Sequence, residues 1–353
     1  MLRYAGGSKE KIIFIASYMV GFIIIIALLY YVGFGKIAAV IMQMSLGFFI
    51  ITLILDLTGL VFYALTWHIL LKGLKCNVSF KTSLTVSLAS IFTCYVTPSG
   101  VLLELLRVVL ANKEAKVPIG YSAASVVMHR ILYTVGFILC AAASFTVIQA
   151  KYTTLGTIGT LLLLIILLSI AFAAGILYLS HRADLIEKML IKLYRRFEGR
   201  INKIIRVYES EEVVNSLSNT ISDFKNAFLE LRRKPLYLLT AFIAVLATWI
   251  VDVAIFYVVF LALNYPISIW AAALTIVIGD FVQMTPIMIP GMIGILETAF
   301  TTTLLAFGIP LDIAASASIL ARIATFWFDI PVTAIAASYY GIKYLLKGAE
   351  AIS

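Results

Sequence analysis

A chain of 353 residues that is 62% hydrophobic and 13% charged, with a mean hydropathy of +1.05, is too apolar for an ordinary soluble globule. A net charge of +9 would suit a nucleic-acid partner, but in a chain this apolar it is read as loops facing an anionic cytoplasmic leaflet. The three cysteines (Cys76, Cys94, Cys140) and three scattered histidines make no CxxC or metal-ligand cluster, so neither a disulfide framework, a metal site nor a cofactor is expected.

Residues 1–11 are short and basic (Arg3, Lys9, Lys11), and Ile12 to Tyr31 is the first apolar run. It is long for a signal-peptide core and no small-x-small site follows closely, so it is read as a retained first helix. Phe34 to Met44 is a weakly amphipathic connector, and Leu46 to Leu71 is a second span carrying Asp56, Trp67 and His68. After a basic loop (Lys72, Lys75, Lys81), Ser83 to Val96 forms a third span that stops at Pro98. A short helix with Glu104 and Arg107 then runs to Lys113–Lys116, and Ser122 to Ile148 and Leu155 to Leu179 are the next two spans.

Residues 181–235 form the one large polar excursion, with 12 Lys/Arg and 8 Asp/Glu. Leu185, Ile186, Met189, Leu190, Leu193 and Phe197 fall on one helical face, and Val214, Leu217, Ile221, Phe224 and Phe228 repeat that pattern. The expectation is a pair of basic amphipathic helices lying on the inner membrane surface. Beyond it, Leu236 to Leu263 carries Asp252, and Ile269 to Thr285 carries Asp280 and stops at Pro286. A short Glu297 helix and a last span, Ala314 to Tyr340 with Arg322 and Asp329, complete the set.

The fold class is therefore all-α: a polytopic helical membrane bundle of about eight long spans plus two short broken or re-entrant helices. Positive loops lie inside, which places 1–11, 72–81, 113–116, 182–234 and 343–347 in the cytoplasm, both termini included, in a multi-pass protein of the plasma membrane. The two short helices share a plan. TPSGVLLELLR (Thr97–Arg107) and TPIMIPGMIGILE (Thr285–Glu297) each follow an apolar run with proline, small residues and a helix bearing one Glu. Pro98 to Arg130 is 32 residues, and so is Pro290 to Arg322. One membrane unit, 1–353, thus contains repeat 1 at about 46–150, repeat 2 at about 236–340 and the cytoplasmic insert 181–235. If both short segments cross, the repeats enter from opposite faces and are inverted; if both return to their own side, they are parallel.

Ionisable groups inside apolar segments cost roughly 2.5–3.5 kcal/mol each at a span centre, so they face the bundle interior or a wet cavity. Asp56, Glu104, Arg107, Arg130, Asp252, Asp280, Glu297, Arg322 and Asp329 all qualify. The candidate substrate-binding set is Pro98, Glu104, Arg107, Arg130, Asp252, Pro290, Gly291, Gly294, Glu297 and Arg322. A helix starting just after Pro98 or Pro290 leaves free N–H groups and a positive dipole end inside the membrane, which suits an anion and a phosphate above all. Arg130 and Arg322 add charge-assisted contacts. Internal ion pairing is the alternative, above all for Glu104 and Arg107 at i,i+3. No nucleophile–base pair or nucleotide loop accompanies these residues, so no catalytic residue is assigned.

TPSGVLLELLR followed by MHRIL, and PIMIPGMIGILETAF followed by LARI, resemble the paired signatures of the lysylphosphatidylglycerol synthase transmembrane region, also called the flippase-like or UPF0104 membrane family. The likeness covers about residues 10–345. Pro290, Gly291, Gly294, Glu297 and Arg322 match the family's second pattern; the first departs, with Leu102-Leu103 where glycines are common and His129 where an acid often precedes the Arg. The resemblance implies a membrane domain that moves an aminoacylated phospholipid in relatives fused to an aminoacyl-transferase. Other relatives carry glycosyltransferase domains acting on polyprenyl-phosphate sugars. Neither domain is visible in this sequence, so synthase activity is not carried over.

The reading is a flippase- or transporter-like protein that translocates or binds an anionic phospholipid or polyprenyl-phosphate-linked head group. One alternative is a membrane-embedded transferase acting on a lipid-linked substrate. Another is a non-transporting subunit that docks a separate transferase through residues 181–235.

Overall fold

The structure, a computed structural model, describes residues 8–97, 100–151, 156–182, 210–285 and 289–350, with parts of 185–196. Its described elements are all helical. α1 (Ser8–Val32) and α2 (Phe34–Met42) lead into a first half made of α3 (Leu46–Gly73), α4 (Phe80–Val96), α5 (Gly100–Ala115) and α6 (Ile119–Lys151). α7 (Gly156–His181) and α8 (Ser210–Arg232) follow. The second half is α9 (Pro235–Ala262), α10 (Ile269–Met284), α11 (Ile295–Ala306), α12 (Leu311–Arg322) and α13 (Asp329–Glu350), with a π-helical turn, Ile323–Trp327, between the last two.

Among the described residues, six segments are long and apolar enough to cross a bilayer: Ile15–Val32, Leu46–Gly73, Ile119–Val147, Leu163–Ser180, Pro235–Ala262 and Leu311–Gly341. The expected eight long spans are corrected by α4 and α10, which have only 17 and 16 residues. At 1.5 Å per residue each is about 25 Å long, short of a hydrocarbon core. Both end for the same local reason. Thr97 and Thr285 precede prolines, and a residue before proline is pushed out of the helical region; their ψ values are 145° and 139°.

Neither short helix crosses alone; each turns back. The Thr85 hydroxyl near the start of α4 lies 2.7 Å from that of Tyr340. At the end of α5, Glu114 accepts from Lys343 and from Tyr344. α4 therefore starts, and α5 finishes, at the end of the bundle where α13 ends. That end also gathers Gly73, whose carbonyl accepts from Lys234, and Gly120, against Thr220 of α8. The basic residues at 72–81, 113–116, 234 and 343 thus share one end. The opposite end holds Ser45, whose N–H donates to the Ala262 carbonyl at 2.7 Å, and Gln43, bonded through its carbonyl to Asn264.

These contacts fix the relation between the halves. Ser45 meets Ala262 and Gly73 meets Lys234, so α3 and α9 run antiparallel along their length. Gly59 lets them close at mid-length, where a Cβ would lie 3.4 Å from Val251. Around that pair the neighbours exchange: α4 packs on α13 and α10 on α6, α4 on α5 and α10 on α11. Corresponding helices also end alike. Cys76 N–H bonds Leu71 O and Tyr265 N–H bonds Phe260 O, a six-to-one closure over a left-handed residue, Lys75 or Asn264. Hairpins α4–α5 and α10–α11 enter from opposite ends, which is the pattern of an inverted repeat; because each hairpin returns, the inversion survives without either short helix crossing.

Helix α8 corrects one expectation about the insert. Its apolar face does not rest on lipid: Ala227, Phe228 and Leu231 are buried with Leu70, Ala124, Met128 and Ile131 of α3 and α6. Gly120 permits this docking, since a Cβ there would come within 2.4 Å of the Thr220 carbonyl. The companion segment lies largely outside the described residues, as do Phe197 to Glu209.

Candidate functional site

Hairpin geometry assembles both charged pairs. Two antiparallel helices joined by a short turn bring level the residues equidistant from that turn. Glu104 and Arg130 are 26 residues apart, centred on Val117 of the turn between α5 and α6, and Arg130 Nη2 meets Glu104 Oε1 at 2.5 Å. Glu297 and Arg322 are 25 apart around the turn between α11 and α12, and Arg322 Nε meets Glu297 Oε1 at 3.0 Å. Arg130 lies about 16 Å along its helix from Ile119, and Arg322 the same from Leu311, measured from opposite ends.

The two pairs differ in what surrounds them. In the second half everything is closed. Glu297 turns its other oxygen back to the Gly294 N–H, 2.7 Å away, so it caps the start of α11 and meets the positive helix end. Arg322 donates to the Gly291 carbonyl and lays its guanidinium 4.2 Å from the Phe326 ring centroid. Pro290 begins a single 3-10 turn and is buried. Gly291 and Gly294 have φ of 58° and 82°, a region costly for residues with a Cβ. At Gly291 a Cβ would also strike Phe326 at 2.3 Å. The Arg322 and Glu297 side chains are only 7% and 3% exposed. The arginine therefore clamps the Pro290–Gly294 turn onto α12.

In the first half the pair is open. Arg130 is 39% exposed and Glu104 22%. Arg107, one turn along α5, lies 3.6 Å from Glu104 and is fully buried. It donates to His129 Nδ1 at 3.0 Å and to the Tyr63 hydroxyl, and stacks 4.8 Å from the Tyr63 ring centroid and 5.4 Å from that of Trp67. Arg107 and Arg130 both lie against Glu104 here, and Asp280 also faces Arg130, whereas in the second half Arg322 lies against Glu297 and also faces Asp329. A partly exposed arginine with a second cation nearby is able to take an anion.

The other sequence candidates separate. Asp252, half-buried on α9, faces α3 with Oδ1 3.8 Å from where a Gly59 Cβ would stand, and touches neither pair. Pro98 lies outside the described residues. Asp280 accepts from Tyr133, one turn beyond Arg130 on α6, at 3.1 Å. The cage of Tyr63, Trp67 and His129 around Arg107 was not anticipated. Its signal was the i,i+4 aromatic pair on α3, which faces one way on a helix. Among the described residues no group of three or more His, Cys, Asp or Glu is placed to hold a metal ion.

Residues 15–332 match the family described as the lysylphosphatidylglycerol synthase TM region. The chain is 25% identical to a UPF0104 membrane protein of Methanothermobacter thermautotrophicus over 334 residues, covering 93% of each chain. It is 24% identical to one of Pyrococcus horikoshii over 320 residues, 88% of this chain and 92% of the relative. A third, from Methanocaldococcus jannaschii, is 25% identical over 332 residues, 90% and 91% of the two chains.

Proposed function

The chain belongs to the lysylphosphatidylglycerol synthase TM region family, and we propose that it binds the anionic head group of a lipid inside the bilayer and carries it across. The ligand class is a phospholipid or a polyprenyl-phosphate conjugate, and the phosphate sits on Arg130. One observation carries this reading: Arg130 is 39% exposed within an apolar bundle, beside Glu104 and a second, buried cation, Arg107. Charge-assisted bonds to phosphate are worth more there than in water.

Roles follow from the difference between the halves. Arg130 receives the phosphate oxygens, and Glu104 exchanges between Arg130 and a cationic part of the head group. Arg107, held by Tyr63, Trp67 and His129, keeps the local potential positive. Glu297 and Arg322 set the Pro290–Gly294 turn against which α1 and α4 pack. The inverted arrangement gives this reading its transport step, because rocking one half against the other opens the same central region to either face. Arginine clusters facing anionic lipid at the cytoplasmic leaflet belong to the same reading, with the basic end inside.

The test is Arg130→Gln in the full chain, reconstituted in vesicles containing a fluorescent anionic phospholipid. Translocation should fall at least tenfold, the loss expected for about 1.4 kcal/mol of a charge-assisted contact, while thermal stability changes by about 1 kcal/mol or less because the side chain is partly solvated. Translocation at the wild-type rate by that variant would overturn the reading.

A further inference from the structure

Outside the two arginine pairs, two carboxylates come together in the interior of the helical bundle. Asp56 belongs to α3, and Asp329 opens α13 directly after the π-helical turn. They are 7% and 2% exposed. α3 packs against the π-helical turn that leads into Asp329, which sets the two carboxyl groups beside each other. Asp329 Oδ2 accepts from the Tyr95 hydroxyl at 2.7 Å. Asp56 Oδ2 and Asp329 Oδ1, in contrast, are buried and have no donor among the described residues. Buried carboxylate oxygens without a donor are costly, and two touching carboxylates in a low dielectric do not both stay ionised. One proton held between them supplies the missing donor and removes the repulsion.

Every charged or titratable group facing the pair bears on that proton. From α4 comes Tyr95, from α9 Asp252, and from α12 Arg322. Arg322 matters most, because it also holds Glu297 and the Gly291 carbonyl. With the proton on, the pair carries one negative charge. With it off, the pair carries two, and the second competes with Glu297 for the Arg322 guanidinium. The wide π turn between Arg322 and Asp329 resets the helix phase at this point, a feature common at working sites.

We propose that Asp56 and Asp329 together bind one exchangeable proton, and that its release couples a transmembrane proton gradient to the lipid movement proposed above, on which this second part rests. The chemistry is a transfer alone: the O–H bond between the pair breaks, the proton passes to water, and the pair gains one unit of negative charge. Rebinding from the other side reverses it.

The experiment uses the full chain in vesicles, read by infrared difference spectroscopy against pH. A protonated-carboxyl C=O band that shifts in heavy water should titrate in the wild type and vanish in Asp56→Asn and in Asp329→Asn. It should persist in Asp312→Asn, a control at the far end of α12. Tyr95→Phe removes a donor that favours the ionised pair, so the midpoint should rise by about one pH unit. Absence of the band, its survival in both Asn variants, or its displacement by sodium at fixed pH would overturn the proton site. An imposed pH gradient should accelerate lipid translocation in the wild type and not in Asp56→Asn; translocation indifferent to the gradient would overturn the coupling. A band that behaves as expected without movement of any lipid leaves the proton site standing and sinks the transport reading instead.

Discussion

Glu297 and Arg322 provide the sharpest test of how this fold distributes charge. Both side chains are almost sealed, 3.0 Å apart, with the carboxylate also on the Gly294 N–H and the guanidinium on the Gly291 carbonyl. Arg322→Gln leaves a buried carboxylate with one backbone donor, and removing one partner of a buried pair costs about 3–5 kcal/mol. Glu297→Gln should fall at the lower end, about 3 kcal/mol, since glutamine retains an acceptor for Gly294 and Arg322 retains Gly291 and the Phe326 face. The double change leaves two neutral amides that can bond to each other. It should lie within about 2 kcal/mol of the wild type, giving a coupling of at least about 4 kcal/mol. Thermal unfolding in detergent micelles, monitored by size-exclusion fluorescence, measures all four proteins side by side. If Arg322→Gln unfolds with the wild type, or the double variant loses the sum of the singles, the clamp is wrongly described. Retained lipid translocation in a stable double variant would place head-group binding wholly in the first half.

Three shorter predictions accompany it. Gly120→Val should undock α8, because even a Cβ meets the Thr220 carbonyl at 2.4 Å; hydrogen exchange across 210–232 should accelerate, and unchanged protection there would refute the docking. Burial pushes the Cys76 thiol up to about 11, and only the thiolate reacts. At pH 8 about one thiol in a thousand is then ionised, so alkylation of Cys76 in a Cys94→Ala, Cys140→Ala background should rise steeply toward pH 11; a rate already saturated at pH 9 would contradict this. Finally, the shared basic end should be cytoplasmic: cysteines placed at Lys116 or Lys347 should resist membrane-impermeant reagents added outside, and labelling from that side would reverse the assigned orientation.

How much of this was legible beforehand depends on the kind of interaction. Apolar run length and the basic loops determined the membrane class, because bilayer thickness and leaflet charge act on composition alone. The breaks after Val96 and Met284 were equally legible, since proline restricts the residue before it whatever surrounds the helix. The repeat was visible in the 32-residue spacing, and the level pairing of Glu104 with Arg130 and Glu297 with Arg322 was implicit in their distance from each turn.

Tertiary structure decided the rest. Of the eight expected spans six are long enough to cross alone; the sequence of α4 or α10 does not say whether a chain leaving its last residue goes on or turns back, and the packing of α4 on α13 and of α10 on α6 decides that. The face of α8 was plainly apolar, yet lipid and protein satisfy such a face equally well, and only the approach allowed by Gly120 selected protein. The two Glu–Arg pairs look alike in the sequence. One is sealed and the other open, because exposure depends on neighbours distant in the chain: Phe326 over Arg322, and the Tyr63–Trp67–His129 cage that takes Arg107 while Arg130 stays half free. Likewise nothing in the chain order announces that Asp56 and Asp329 touch. Antiparallel packing of the two halves brings α3 and the start of α13 together, and contact between distant carboxylates is a property of that packing alone.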